Sequence, residues 1–221
     1  MRENYQVYFG GELFNHKDLI GNRLLASYIE KCSSGRYRCF LPQSLDQSKA
    51  TALEIRNQDL KKIVECDLAL FNFDGADLDS GTVVEFIFAK FLDIPSVVLR
   101  SDFRSSGEKD LGGEDWNLMC SFYPRTEVVQ FSAIAYYQGA MNESSSLSEA
   151  ENRLYTKIAN EIINGFDKAK ALPALLPDDE KRIEIVYQWA LRFPGSGLEG
   201  VCENRKYLNK IVQQKRNKGL I

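Results

Sequence analysis

The sequence predicts an α/β fold: a parallel five-stranded sheet with helices on both faces, followed by a C-terminal helical extension. Two patterns carry this reading. Over residues 5–131, short β-rich runs alternate with longer runs of helical period, the signature of strands joined through crossover helices. From residue 144 onward the β-rich runs stop, and three amphipathic stretches separated by prolines follow.

Tyr5 to Phe9 is a β-rich run that ends at Gly10-Gly11, a strand and its turn. Between Asn15 and Cys32, the residues Leu19, Ile20, Leu24, Leu25, Tyr28 and Ile29 recur at helical spacing. Tyr37 to Leu41 reads as a second strand, stopped by Pro42. Ala50 to Cys66 is helical through Leu53, Ile55, Leu60, Ile63 and Val64. Asp67 to Phe73 is a third strand, running into the turn pair Asp74-Gly75. Thr82 to Leu92 is an apolar helix, Ser96 to Leu99 a fourth strand after Pro95, and Glu127 to Phe131 a fifth that closes the core near residue 140.

The polar break Ser144 to Ser148 leads into a capping-box pattern, Ser148 to Glu151. It starts a helix that runs to Lys170, with Leu154, Ile158, Ile162 and Phe166 on one stripe. Beyond Pro173 and Pro177, helices are expected over Asp178 to Phe193 and Glu199 to Asn217. Residues 1–140 therefore read as a flavodoxin-like or Rossmann-like domain, and residues 145–221 as a helical extension with no legible role. Right-handed crossovers place the strand C-termini on one edge, where open α/β sheets bind ligands. Gly10-Gly11, Asp74-Gly75 and Asp79 to Glu85 all follow strand ends and are expected to gather there.

The 221 residues are 44% hydrophobic and 27% charged, ordinary values for a globular protein with a real core. A net charge of −3 is a poor footprint for gripping nucleic acid, which needs clustered cations. The one basic run, Lys206 to Lys218, reads as a solvated helix face. The opening Met-Arg-Glu-Asn-Tyr carries no apolar signal, and no stretch approaches the ~20 apolar residues of a membrane span, so a cytoplasmic protein is expected. Cys32, Cys39, Cys66, Cys120 and Cys202 are odd in number and form no CxxC pair, which suits buried reduced thiols. His16 is the only histidine, in a polar loop or early helix. There is no Walker loop, no GxGxxG and no metal-ligand spacing, so neither cofactor nor metal is expected. Carboxylates are left as the chemists.

The informative stretch runs from Asp74 to Glu85, DGADLDSGTVVE. It reads either as an acidic loop and a helix whose Glu85 faces solvent, or as an active-site carboxylate. Glu85 is flanked by Val83, Val84, Phe86, Ile87 and Phe88, early in a helix just past the ligand-binding edge. There the helix N-terminus favours an anion and partial burial strengthens its interactions.

Asp79 to Glu85, DSGTVVE, resembles the D-x-G-x-x-x-E motif of the nucleoside 2-deoxyribosyltransferases. Val7 to Phe14 is similar to that family's first strand and glycine turn, with its Tyr-Phe-Gly opening. Gln58 to Ile63, followed by Cys66-Asp67, is similar to its D-L-x-x-I-x-x-x-D helix, and Asn117-Leu118-Met119 to its N-L-M segment. The four matches lie in order over residues 7–119; together they are specific, and each alone is weak.

The resemblance implies that Glu85 is a nucleophile that forms a glycosyl ester with the anomeric carbon of 2-deoxyribose, with retention. It implies that Asp79 and Asp59 serve the base side, one as proton donor, and that Tyr8 holds Glu85 in line. It also implies that Asn117, with Met119 nearby, meets the sugar of a neighbouring subunit in a homo-oligomer. Deoxynucleosides and free nucleobases would be the partners. Gly10, Gly11, Gln43, Asp74, Gly75 and Gly81 complete the expected substrate-binding set. The plain alternatives are that Tyr8 is a core residue, Asp59 a surface charge, Asp79 only an N-cap and Asp74 only a turn former. Arg100 and Arg104 read as surface ion pairs or as phosphate binders.

Two other functions compete. An N-glycosidase acting on nucleoside 5′-monophosphates would need phosphate donors near the sugar, where this chain offers Gly10-Gly11-Glu12 and Glu12 would repel phosphate. A non-catalytic nucleoside or nucleotide sensor would bind without turnover and report through the C-terminal helices. A receiver-type domain would want an acidic cluster after the first strand and a lysine after the last, which are lacking.

Overall fold

The computed structural model describes residues 4–46, 48–102, 117–200 and 205–221. Five strands, β1 (Tyr5–Gly10), β2 (Tyr37–Phe40), β3 (Leu68–Asn72), β4 (Ser96–Arg100) and β5 (Thr126–Gln130), form one sheet in the order β2-β1-β3-β4-β5. Every pairing is parallel, with Tyr8 opposite both Phe40 and Ala69. The helices are α1 (His16–Cys32), α2 (Ala52–Glu65), α3 (Ser80–Phe91), α4 (Ala133–Asn142), α5 (Leu147–Ala171), α6 (Glu180–Arg192) and α7 (Arg205–Asn217).

Helix starts follow side-chain capping. Asn15 caps α1, Thr51 and Glu54 form a reciprocal capping box on α2, and Asp79 caps α3 through the Thr82 amide. α5 is capped by Ser146, two residues before the Ser148 expected from sequence. Both serines have a glutamate three residues on, and the chain uses the earlier pair. α4 was not anticipated, because the sequence reading closed the core with the fifth strand. The last helix, expected from Glu199, is described from Arg205.

Strand alternation sends side chains to two cores. Val7, Phe9, Leu68, Leu70, Val97, Leu99 and Val129 face α1 and α5. Tyr8, Ala69, Phe71 and Val98 face α2, α3, α6 and α7. Residues 145–221 therefore have no separate core among the described residues, and their helices complete both layers. Along α5, Ala159, Ile162 and Phe166 are fully buried against the sheet, each large side chain contributing about 1.5–3 kcal/mol. Gly165 permits this approach: a Cβ there would lie 3.0 Å from Val97 Cγ2. Asp167 anchors the helix to β2 by accepting from both Arg36 Nη atoms at 2.9 Å and from Tyr37 Oη at 2.6 Å.

On the other side, Ile183, Tyr187, Ala190 and Leu191 of α6 and Leu208, Ile211 and Val212 of α7 join the α2–α3 core. The buried pair Arg125–Asp93, at 2.9 Å, ties this layer together. Asp93 also accepts from the Leu175 and Leu176 amides, and Arg125 donates to the Leu220 carbonyl. The basic run is not simply a solvated face. Lys215 is buried and donates to the Cys66 carbonyl, and Lys218 meets Asp67 Oδ2 at 2.6 Å. The two lysines give the oxygens just before β3 donors that water would otherwise supply. Cys32, Cys39, Cys66 and Cys120 form no disulfide; Cys66 and Cys120 are buried, whereas Cys32 and Cys39 are only partly so.

Arg125→Leu removes the guanidinium from beside the buried Asp93 carboxyl. It is expected to cost about 3–5 kcal/mol in urea unfolding, because breaking one side of a buried pair exposes the full desolvation cost of the other. A loss below about 1 kcal/mol would show that the pair is not the anchor.

Candidate active site

β1 has β2 on one side and β3 on the other, so the strand order reverses beside it, and open α/β sheets bind ligands at such a point. Tyr8 projects from β1 toward α3, packed between Phe40 and Phe71 with ring centroids 6.2 and 6.3 Å away. Its hydroxyl donates to Glu85 Oε1 at 2.7 Å. Glu85 stands in the second turn of α3, and its other oxygen lies over Gly10, where a Cβ would come within 2.6 Å of Oε2. Only glycine at the end of β1 leaves room for this carboxylate.

Asp79 Oδ2 accepts from the Thr82 amide at 2.7 Å and the Thr82 hydroxyl at 2.8 Å, so it fixes the start of the helix that carries Glu85. Asp59, half-buried on α2, has one carboxylate oxygen, Oδ1, buried without a hydrogen-bond partner. The electrostatics follow from crowding carboxylates in a poorly solvated place. Burial pushes Glu85 up to about 7; the Tyr8 hydrogen bond opposes this, and the charges of Asp59 and Asp79 reinforce it. Burial alone raises Asp59 to about 6. Burial and the neighbouring Glu85 hold the Tyr8 hydroxyl well above the usual phenol range, so it stays a donor. Because Glu85 and Asp59 feel each other, their titration belongs to the pair.

Glu85 and Asp59 open into a cavity of about 780 Å3, within the size range of small-molecule sites. Gly81 and Ser80 also line it, and Phe88, Phe91, Trp189 and Phe193 are the aromatic part of its lining. A second cavity of about 510 Å3 lies at the ends of β3 and β4 and is lined by Glu12, Asp18, Asp74 and Asp102 among others. Crowding is felt there too: Glu12 is raised by burial first, then by Asp18, Asp79 and Asp74.

Of the residues anticipated from sequence, Tyr8, Gly10, Asp59, Asp79, Gly81 and Glu85 come together. Asp74 and Gly75 line the second cavity instead. Asp74 accepts from the Ser101 hydroxyl at 2.6 Å and the Asp102 amide at 2.9 Å, which locks the β3 end to the β4 end. Gly11 packs against Asn72, 3.1 Å from a would-be Cβ. Gln43 is not among the residues lining either cavity; its side-chain amide donates to the Leu19 carbonyl at 2.7 Å. Asn117 caps a short 3-10 turn (Leu118–Cys120), accepting from the Met119 amide at 2.9 Å, and Asn117 and Met119 are both exposed.

His16 is exposed at the start of α1. Arg100 is buried rather than at the surface, and it donates to the carbonyls of Phe73 and Gly75, holding the loop after β3. Arg104 lies outside the described residues. Sequence reasoning missed Trp189 and Phe193, whose only signal is two large aromatics four residues apart on α6.

A parallel α/β sheet with a tyrosine-held glutamate at its switch point, backed by two aspartates, defines an α/β protein with a carboxylate-built site. The chain belongs to the nucleoside 2-deoxyribosyltransferase family, which it matches over residues 7–149. Solved structures with similar chains include a conserved protein from Enterococcus faecalis (20% identity, covering 75% of this chain and 98% of that one, TM-score 0.46). They also include a 2-desoxiribosyltransferase from Leishmania mexicana (20%, 53% and 86%, TM-score 0.44) and a 2-deoxyribosyltransferase from Bacillus psychrosaccharolyticus (18%, 66% and 95%, TM-score 0.43). A search of curated proteins finds no match.

The raised Glu85 predicts a stability cost with a definite sign. The folded chain binds this proton more tightly than the unfolded chain, so stability falls as pH rises from the ordinary value of 4.5 toward about 7. Glu85→Gln has no such cost. Its melting temperature is expected to exceed that of the unmodified protein by a margin that widens across this window and then levels off, equivalent at most to about 3 kcal/mol. A margin independent of pH would contradict the assignment.

Proposed function

We propose that the protein transfers 2-deoxyribose between purine and pyrimidine bases through a covalent ester at Glu85. The observation that carries this reading is the Tyr8–Glu85 hydrogen bond beside Gly10, which orients a carboxylate at a ligand-binding edge. A structural ion pair would serve stability as well, but Glu85 has no cationic partner among the causes of its shift.

In the first half-reaction an ionised Glu85 oxygen attacks the anomeric carbon, the bond to the base nitrogen breaks, and its electron pair stays on the base. The base takes a proton from a nearby acid. Asp59 fits that role better than Asp79, because Asp59 has a buried oxygen with no hydrogen-bond partner, whereas an oxygen of Asp79 caps α3; the proton that Glu85 and Asp59 share must sit on Asp59 when Glu85 attacks. In the second half-reaction an acceptor base attacks the same carbon, the ester breaks to restore the Glu85 carboxylate, and the acceptor's proton returns to Asp59. Two inversions give retention. Water in place of the acceptor gives hydrolysis, so slow base release accompanies transfer.

The acidic cavity containing Glu12, Asp18, Asp74 and Asp102 supports a nucleoside rather than a nucleotide, since a 5′-phosphate there would face like charge. Exposed Asn117 and Met119 suit donation to a neighbouring subunit's site in a homo-oligomer. No described helix is long and apolar enough to cross a membrane.

Deoxyinosine incubated with free adenine should yield deoxyadenosine, with Glu85→Ala at least about 1,000-fold slower, the scale of losing a nucleophile. Asp59→Asn should slow the first half-reaction about 100-fold or more, as loss of a general acid does. Hypoxanthine release without deoxyadenosine would make the protein a hydrolase. Binding without either product would make it a sensor.

A further inference from the structure

We propose that Trp189 and Phe193 form a base-stacking wall of the Glu85 cavity and set a preference for purine over pyrimidine donors. The inference deepens the transfer reading and rests on it for the substrate. It does not follow from the family match, which ends at residue 149, some forty residues before these aromatics.

The cavity lining is of two kinds: Glu85 and Asp59 supply carboxylates, and Phe88, Phe91, Trp189 and Phe193 supply aromatic surface. α6 buries Ile183, Tyr187, Ala190 and Leu191 in the core, and Trp189 and Phe193 stand off that stripe. They remain 54% and 73% exposed, with ring centroids 6.2 Å apart. Two large exposed aromatics beside exposed Phe91, Val84 and Ile87 make a contiguous apolar surface that monomeric proteins seldom leave bare without a use.

The wall is also held in place. Arg56 donates to the Pro194 carbonyl at 2.8 Å and Asn57 to the Ser196 carbonyl at 2.9 Å, fixing the turn after α6 to α2. Asp59 rides on the same helix, so the aromatic wall and the Asp59 carboxylate keep one spacing. Along α3 the cavity runs from Ser80 to Phe91, and Phe91 lies six residues, a rise of about 9 Å, beyond Glu85. A purine attached to a sugar at Glu85 reaches toward the aromatic wall with its second ring, and a pyrimidine stops short. Every base has a π face, so stacking supplies affinity wherever the ring reaches.

The test compares kcat/KM for purine and pyrimidine deoxynucleoside donors in the full chain, Trp189→Ala, Phe193→Ala and the double variant. Both side chains are largely exposed, so melting temperatures should stay close to that of the parent. The double variant should lose roughly 5- to 100-fold on purine donors, through KM rather than kcat, and less than about 3-fold on pyrimidine donors. Trp189→Phe should restore most of the loss. Equal loss on both donor classes, or none, would overturn the wall.

A second readout is independent of turnover. The chain has two tryptophans, so Trp116→Phe leaves Trp189 as the sole emitter. In a Trp116→Phe, Glu85→Gln background, free adenine should quench its fluorescence saturably. A protein that turns over no donor would sink the transfer reading while this quenching still supported the wall. Active protein with no quenching would sink the wall alone.

Discussion

A carboxylate held by Tyr8 and admitted by Gly10 is the constraint around which the site is arranged. Tyr8 can reach Glu85 only because β1 alternates, sending Val7 and Phe9 to one core and Tyr8 to the other. Glu85 arrives at the correct height because Asp79 fixes where α3 begins, two turns earlier in the loop from β3. A methyl group at residue 10 would contest the space of the Glu85 oxygen itself. Three separate segments thus converge on one side chain whose charged form is penalised by burial. That penalty is the price of a nucleophile poised near neutral pH.

The same burial explains why the C-terminal helices are integral to the molecule. α5 covers the sheet face opposite the site, and α6 and α7 thicken the layer that holds α2 and α3. Asp93 and Arg125 connect that layer to the connector before α6 and to Leu220 near the chain end. α2, which carries Asp59, shares its core with these helices, and through Arg56 and Asn57 it grips the turn after α6. Loosening the extension should therefore be felt at the carboxylates.

Much of this was legible in the sequence because it is local. Runs of β-rich and helical period located all five strands within one or two residues, and Asp74-Gly75 marked the end of β3. Glu85 stood out as an acid inside an apolar helix, and the resemblance joined it to Tyr8, which lies 77 positions away. Other features depend on tertiary partners and left no local trace. Asp74 reads as a turn former, and only the approach of Ser101 and Asp102 makes it a clasp between strands. Lys215 reads as solvated until the Cys66 carbonyl is found above it. α4 carries Ala, Ile and Tyr without a one-sided stripe, since it packs mainly on α5 and leaves Ile134 and Tyr137 exposed. Trp189 looks like any core aromatic until the burial of its neighbours shows that it faces the other way.

A covalent mechanism requires a bond from the sugar to Glu85. The direct measurement is mass spectrometry of acid-quenched protein after brief incubation with a deoxynucleoside whose 2-position fluorine slows breakdown of the ester. A nucleophilic Glu85 should gain the mass of one fluorinated deoxyribosyl group, located by peptide mapping on Glu85 and abolished in Glu85→Gln. Turnover without any adduct, or an adduct on another residue that survives Glu85→Gln, would contradict it.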